Sequence, residues 1–111
     1  MTYTIGEVAR MMNIAASTLR YYEKEGLLLP TSRSQNGQRV YTDDDIATLS
    51  IIEYLKFCGL PLKEIRSFLP LVQSDGETLS ARREIMARER DNVRTQIAAL
   101  QTKLERLEFG C

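Results

Sequence analysis

The sequence predicts a mainly α-helical protein in which short helices and one small β-hairpin precede a single long helix. Two observations lead to this prediction: apolar residues recur at helical spacing in short segments, and no glycine or proline interrupts the chain from Glu77 to Glu108. A third is the dipeptide Asn36-Gly37, which favours a tight hairpin turn because both residues tolerate positive φ. The order of these parts is that of a winged helix-turn-helix followed by a long helix for an antiparallel coiled coil.

Composition limits the size and the class of the protein. The 111 residues, 43% of them apolar, suffice for one small domain and an appendage. Fifteen basic residues balance fifteen acidic ones, so the chain is not a polycation that would coat nucleic acid indiscriminately. Residues 1–42 hold five basic and three acidic residues, whereas residues 43–60 hold one and four. The first third is therefore the better candidate for a contact with phosphate.

The sequence gives little evidence for a membrane protein, a metal-binding protein or an enzyme. No apolar run approaches the roughly 18 residues of a membrane span, and no signal peptide is evident, so we expect a cytoplasmic protein without membrane contact. The cysteines Cys58 and Cys111 are far apart and there is no histidine, which disfavours a disulfide framework and a zinc site. We expect no metal and no cofactor. An enzyme is the least favoured class, because no phosphate loop or nucleophile–base pair is present.

The first two helices form a helix-turn-helix pattern. Thr4 and Glu7 make a capping box at the start of the first helix. The second helix is predicted from about Ala16 until Gly26, a residue well suited to a left-handed carboxyl cap. Because the turn between the helices is tight, the second helix is placed as a recognition helix.

A basic hairpin is predicted to follow. Arg33 and Arg39 flank the turn at Asn36-Gly37, so each strand of this wing carries one cation. Such a hairpin can reach a neighbouring phosphate run. The alternative is a hairpin whose arginines only aid solubility.

A second helical pair is predicted after the wing. Thr42 and Asp45 cap its first helix, which ends at Gly59, and Pro61 starts the next one. We expect Pro70 to stop or kink that helix. Residues 1–74 are then the DNA-binding domain, and residues 77–109 the dimerisation helix.

The long final helix carries a heptad seam, which is typical of a coiled coil. The residues predicted to dimerise are Leu79, Met86, Val93, Ile97, Leu100, Leu104 and Leu107. Arg83 and Arg90 also fall in the seam, and a parallel dimer would place each against its own copy. An antiparallel homodimer avoids this repulsion, although a parallel coil with outward-reaching arginines is an alternative.

The second helix separates two kinds of side chain. Leu19 and Tyr22 fall on one side, and the opposite side can meet DNA, with Arg20 able to donate bidentately to guanine in the major groove. The residues placed near bases or phosphates are Ser17, Thr18, Arg20, Tyr21 and Lys24. The alternative is an ordinary solvated face packed through Leu19 and Tyr22.

Three stretches at these spacings resemble the MerR-type transcriptional regulators: "TLRYYEKEGLL", "RSQNGQRVY" and "LKFCGLPLKEI". The resemblance covers essentially the whole chain. It implies a homodimer that binds a pseudo-palindromic site in double-stranded promoter DNA and distorts the spacer, so that RNA polymerase can use misaligned promoter elements. By position it also implies DNA contacts from Arg20, Tyr21, Tyr22, Arg33, Arg39, Tyr41 and Lys56.

This sequence departs from the family pattern at the recognition helix and at the effector site. Ala15 and Ala16 stand where members often have serine and proline. The short tail resembles the small aldehyde- and thiol-stress branch, which lacks a separate effector domain, but Tyr54 stands where that branch places its cysteine. Cys58 is the nearest substitute as a redox thiol, with a buried core residue as the alternative. Cys111 is a loose terminal thiol or the visible end of a longer helix.

The leading hypothesis is a stress-responsive, homodimeric transcriptional regulator. One alternative is a DNA-architectural or excisionase-like protein that bends DNA without regulating transcription. Another is a protein-interaction adaptor that dimerises through residues 77–108.

Overall fold

The computed structural model describes residues 1–28, 37, 39–73 and 79–111. Five helices and one two-stranded sheet are present in these ranges, which confirms the mainly α prediction. In chain order the elements are β1 (Thr2–Thr4), α1 (Ile5–Met12), α2 (Ala16–Lys24), β2 (Val40–Thr42), α3 (Asp43–Phe57), α4 (Leu62–Gln73) and α5 (Leu79–Gly110). The chain divides into two compact units, Met1–Leu69 and Pro70–Cys111. No helix in the described ranges is both long and apolar enough to cross a membrane.

The sheet differs from the predicted hairpin. β1 pairs antiparallel with β2, and Tyr3 lies opposite Tyr41. The sequence does not predict β1, because three residues are too few to show an alternating pattern and their partner lies far along the chain. The first strand of the predicted wing lies outside the described residues. Gly37 has a φ of 77°, the positive value that the predicted turn requires.

Both predicted capping boxes are present. The Thr4 hydroxyl accepts a hydrogen bond from the Glu7 amide at 3.1 Å, and the Glu7 carboxylate accepts one from the Thr4 amide at 2.8 Å. Thr42 and Asp45 repeat the arrangement at the start of α3. These bonds satisfy amides that have no partner within the helix, so they set where α1 and α3 begin.

The recognition helix ends as predicted. Gly26 has a φ of 77°, and the Leu27 amide donates to the Tyr22 carbonyl at 2.8 Å, as in a glycine-capped helix end. At the other end Ala15 is the N-cap and supplies no side-chain hydrogen bond. The helix therefore starts without the cap that a serine would provide.

Pro70 does not stop α4, which continues through it to Gln73. The predicted stop does not occur, and the kink given as its alternative stays a prediction. A proline lacks its own N–H and its ring crowds the carbonyl four residues earlier, so near the end of a helix it removes one hydrogen bond and favours a bend. Pro70 is instead the first residue of the second unit.

The core of the first unit draws side chains from four helices and β2. Its most deeply buried members are Val8, Leu19, Tyr22, Tyr41, Leu49, Ile52, Leu55 and Ile65. In the second unit, α5 buries no residue. Seam residues of α5 that are exposed are Leu79, Val93, Ile97, Leu100, Leu104 and Leu107.

Candidate DNA-binding surface

The exposed face of α2 is the one that the sequence predicts to meet DNA. Ser17, Arg20, Tyr21 and Lys24 are exposed, and Thr18 beside them is half-buried. At about 100° per residue, the four exposed positions fall within roughly one third of the helix circumference. Within the described ranges no ion pair engages Arg20 or Lys24. The face therefore presents two free cations beside an aromatic ring.

The opposite side of α2 is anchored in the core. Leu19 is fully buried and Tyr22 is 2% exposed. The Tyr22 hydroxyl accepts a hydrogen bond from the Lys56 Nζ at 2.6 Å and donates to the Glu53 carboxylate at 3.4 Å. These bonds fasten the recognition helix to α3. Tyr22 accordingly has a structural role, and only its hydroxyl is near the surface.

Lys56 joins this network as an exposed cation. Its Nζ lies 3.8 Å from the Glu53 carboxylate and 5.2 Å from the centre of the Tyr22 ring. The hydrogen bond to Tyr22 raises the pKa of Lys56, and the negative charge of Glu53 adds to the effect. Lys56 therefore stays charged at neutral pH, with its head group held in place and still accessible to a phosphate.

Arg39, by contrast, is not a free cation. It forms an ion pair with Glu23 of α2 in which the arginine side chain is 21% exposed and the glutamate 13%. The residue lies immediately before β2. The pair joins the recognition helix to the strand that follows the predicted wing.

Tyr41 lies in the core and corrects one prediction. Its side chain is fully buried, so it has no surface to offer a duplex. Burial also raises the pKa of its hydroxyl, with the nearby Arg39 charge opposing the shift. The tyrosine packs beneath the Glu23–Arg39 pair because side chains alternate along a strand, which places the position after Val40 on the inner face.

Two hydrogen bonds from Arg66 of α4 hold Glu25, the residue that caps the end of α2. The Arg66 Nε donates to the Glu25 carbonyl at 3.0 Å, and its Nη2 donates to the Glu25 carboxylate at 3.2 Å. Arg66, Glu23, Glu25 and Glu53 were not predicted as site residues. Their partners lie far away in the sequence, and the only local signal is that Glu23 and Glu25 stand beside Lys24 in a segment expected to meet phosphate.

The remaining predicted residues have varied positions. Arg33 lies outside the described residues. Cys58 is half-buried at the end of α3 and Cys111 is exposed, and both are free thiols. The part of the chain that the structure describes holds no group of three or more acidic, cysteine or histidine side chains arranged to bind a metal.

Comparison with known proteins decides the family. A model of the MerR HTH family regulatory protein matches residues 3–71, and a model of the MerR DNA-binding region matches residues 46–108. The chain belongs to the MerR family. An uncharacterised HTH-type transcriptional regulator of Haemophilus influenzae is 38% identical over 98% of this chain and 81% of its own length.

Two solved MerR structures are similar as well. HiNmlR, a regulator lacking the sensor domain and bound to promoter DNA, superposes with a TM-score of 0.74 at 38% identity, over 95% of this chain and 80% of that one. The EcmrR–DNA complex in EcmrR-RPo superposes with a TM-score of 0.74 at 29% identity, over 96% of this chain and 37% of that one. These relatives confirm a DNA-binding transcriptional regulator that acts as a dimer and is not an enzyme.

Proposed function

We propose that this MerR regulator binds a pseudo-palindromic promoter site as a homodimer and distorts the DNA spacer between promoter elements. The observation that supports the proposal is the division of α2 into two sides. The outer face carries Arg20, Tyr21 and Lys24, and among the described residues neither cation has an ion-pair partner. The inner side and the end of α2 are bonded to α3, to α4 and to Arg39. A rigid helix with free donors on one face is suited to the major groove.

Each exposed residue has a proposed role. Arg20 donates to a guanine edge and determines sequence preference. Ser17, Thr18, Tyr21 and Lys24 contact neighbouring bases or phosphates, and Lys56 and the Tyr22 hydroxyl contact a phosphate. Arg33, from the predicted wing, contacts the backbone beyond the recognition helix. Arg39 is not among these contacts, because Glu23 already holds it.

Distortion follows from dimer geometry. Two recognition helices on one rigid dimer contact two half-sites, and a mismatch in spacing or twist must be absorbed by the DNA. Bending or untwisting a short site costs a few kcal/mol, which phosphate contacts can offset. RNA polymerase then responds through the promoter that both proteins share, which accords with the EcmrR-RPo neighbour.

For the dimer we propose an antiparallel coiled coil of α5. An arrangement with Val93 opposite the partner's Ile97 overlaps the two helices along nearly their whole length. It also places Arg83 opposite the partner's Leu107 and Arg90 opposite the partner's Leu100. The arginine stems then pack on leucine and their charges reach solvent, whereas a parallel dimer stacks like charges.

Engineered cysteines test this orientation in a C58S/C111S background. The antiparallel register places Met86 opposite the partner's Leu104, so co-refolded M86C and L104C chains should form a mixed disulfide. M86C alone should not cross-link, because its two copies lie roughly 27 Å apart along the coil. Self-cross-linking of each single variant would instead show a parallel dimer.

We also propose that the regulator works in the cytoplasm and responds to a stress signal. The resemblance to the small aldehyde- and thiol-stress branch supports this, and the half-buried Cys58 and exposed Cys111 are the available thiols. Transcription from the selected promoter, with and without aldehydes and oxidants, measures the response. No change with any of them would contradict it.

In vitro selection of duplexes from a random library tests the central proposal. The wild-type chain should select one two-fold symmetric sequence, and its log affinity should fall steeply with log salt. R20A should remove the preference for the selected duplex over a scrambled one and retain weak binding to both. Recovery of no consensus sequence, or a flat salt response, would overturn the proposal.

A further inference from the structure

Glu23 is an unexpected residue for a DNA-reading helix. It lies in the sequence between Arg20 and Lys24, where a free carboxylate would repel phosphate. Its side chain is only 13% exposed, however, and is directed at Arg39. The cation therefore neutralises the carboxylate before DNA arrives.

The pair lies beside other enclosed polar atoms of the first unit. Among the described residues, four buried side-chain N or O atoms lack a hydrogen-bond partner, and three of them belong to Glu23, Arg39 and Tyr41. They are one carboxylate oxygen, the guanidinium Nε and the tyrosine hydroxyl. Groups this enclosed depend on one another, since loss of either charge leaves the other buried and unpaired.

The position of Arg39 shows what the pair controls. Arg39 immediately precedes β2 and lies two positions after Gly37 of the predicted wing turn. Glu23 belongs to α2, whose outer face reads DNA in the function proposed above. The ion pair thus connects the two parts of the molecule expected to contact the same duplex.

We propose that Glu23 and Arg39 are a positioning pair that holds residues 39–42, the second strand of the predicted wing, against the recognition helix, and that Arg39 supports DNA binding through Glu23 rather than through a phosphate. The inference rests on the proposed function. Holding both elements in place before binding avoids an ordering cost when DNA is bound. An acidic residue then strengthens DNA binding, which is the reverse of its direct electrostatic effect.

The variant E23Q distinguishes the positioning role of Glu23 from its direct repulsion of phosphate, because loss of the first weakens DNA binding and loss of the second strengthens it. With the duplex selected by the wild type, measured by fluorescence anisotropy at several salt concentrations, E23Q should bind at least about tenfold more weakly with an unchanged salt slope. The control D44N removes one negative charge from an exposed position in the first turn of α3. It should bind equally well or slightly more tightly. Equal or tighter binding by E23Q would overturn the proposal.

Substitutions of Arg39 provide the second test. R39K keeps the charge, but its ammonium ends one bond short of the Nη2 atom through which Arg39 meets Glu23, so a positioning role predicts a loss like that of E23Q. In the double variant E23Q/R39Q the loss should not exceed that of the worse single variant, because the two residues act through each other. Additive losses, with a salt slope smaller by about 0.9, would show that Arg39 contacts a phosphate directly.

Two controls keep the outcomes distinct. Circular dichroism at the assay temperature establishes whether each variant is folded. If E23Q is unfolded, the test uses R39K, and an R39K protein that retains wild-type affinity for the selected duplex overturns the proposal. Failure of the wild type to select any duplex contradicts the proposed function instead.

Discussion

Tyr22 shows how one residue of this chain serves two surfaces. Its ring is buried in the core, and its hydroxyl joins Lys56 and Glu53. The cation that we propose as a phosphate contact is therefore held by a side chain of the recognition helix itself. A shift of α2 would move Lys56 too, so the contacts of α2 and α3 with DNA are linked.

Replacement of Lys56 tests its assignment to a phosphate. K56A should weaken binding to the selected and the scrambled duplex by the same factor, about tenfold, as expected for one charged hydrogen bond of about 1.5 kcal/mol. The salt slope should fall by about 0.9. The control K103A removes a lysine from α5 and should change neither value. Loss of affinity for the selected duplex alone would show that Lys56 reads a base.

At the scale of the element, α1 and α3 begin with complete capping boxes and α2 does not. The helix that reads DNA is thus the one with the weakest start. Its stability comes from packing through Leu19 and Tyr22 and from its glycine-capped end. A short helix with a weak start depends on such tertiary contacts.

A serine at the N-cap of α2 should supply the missing bond. Ala15 has extended backbone angles, φ −64° and ψ 142°, which suit a capping serine. A15S should raise the free energy of unfolding by about 0.5–1 kcal/mol in urea titrations. The control A99S, in the middle of exposed α5, should lower the free energy of unfolding by a few tenths of a kcal/mol. A destabilised A15S would show that the Ala15 backbone departs from cap geometry.

The stability that the capping box of α1 contributes should decrease as the pH falls. The hydrogen bond from the Thr4 amide lowers the pKa of Glu7 below its usual 4.5. Because the pKa is lower in the folded state, the Glu7 carboxylate stabilises the fold above about pH 4.5, and this contribution disappears as the pH falls and the carboxylate is protonated. The Tm of the wild type should therefore exceed that of E7Q at pH 7, and the difference should shrink between pH 5 and pH 3. A constant difference would contradict the assignment.

At the scale of the whole molecule, α5 needs a partner. Its seam exposes Leu100, Leu104 and Leu107, each more than half accessible, and α5 has no buried residue in the single chain. Burial of such a stripe is the main driving force for a coiled coil. The dimer in turn joins two half-site readers, and linked binding is much tighter than separate binding.

A charged residue in the seam tests whether tight DNA binding depends on dimerisation through α5. L100D should make the protein monomeric in analytical ultracentrifugation and weaken binding to the symmetric duplex by at least about 100-fold, while binding to a half-site changes little. T102D, which adds the same charge outside the seam, should leave both unchanged. A monomeric L100D that still binds the symmetric duplex tightly would show that dimerisation is not required.

The sequence by itself determined the features that depend on local chemistry. Both capping boxes, the glycine end of α2 and its division into an inner and an outer face follow from side chains within a few residues of one another. The heptad seam is local in the same sense, because its period is visible along one helix. The structure confirms both capping boxes, the glycine end and the two faces of α2, whereas pairing through the seam stays a prediction and α4 continues through Pro70.

The tertiary structure alone decided which distant residues meet. The pairing of β1 with β2, the bonds from Glu23 to Arg39, from Tyr22 to Lys56 and from Glu25 to Arg66, and the burial of Tyr41 all join positions far apart in the chain. Periodicity assigns a residue to a face but not to a partner. For that reason the sequence identified Arg39 as a cation available to DNA, and only the fold showed that a glutamate of the recognition helix already holds it.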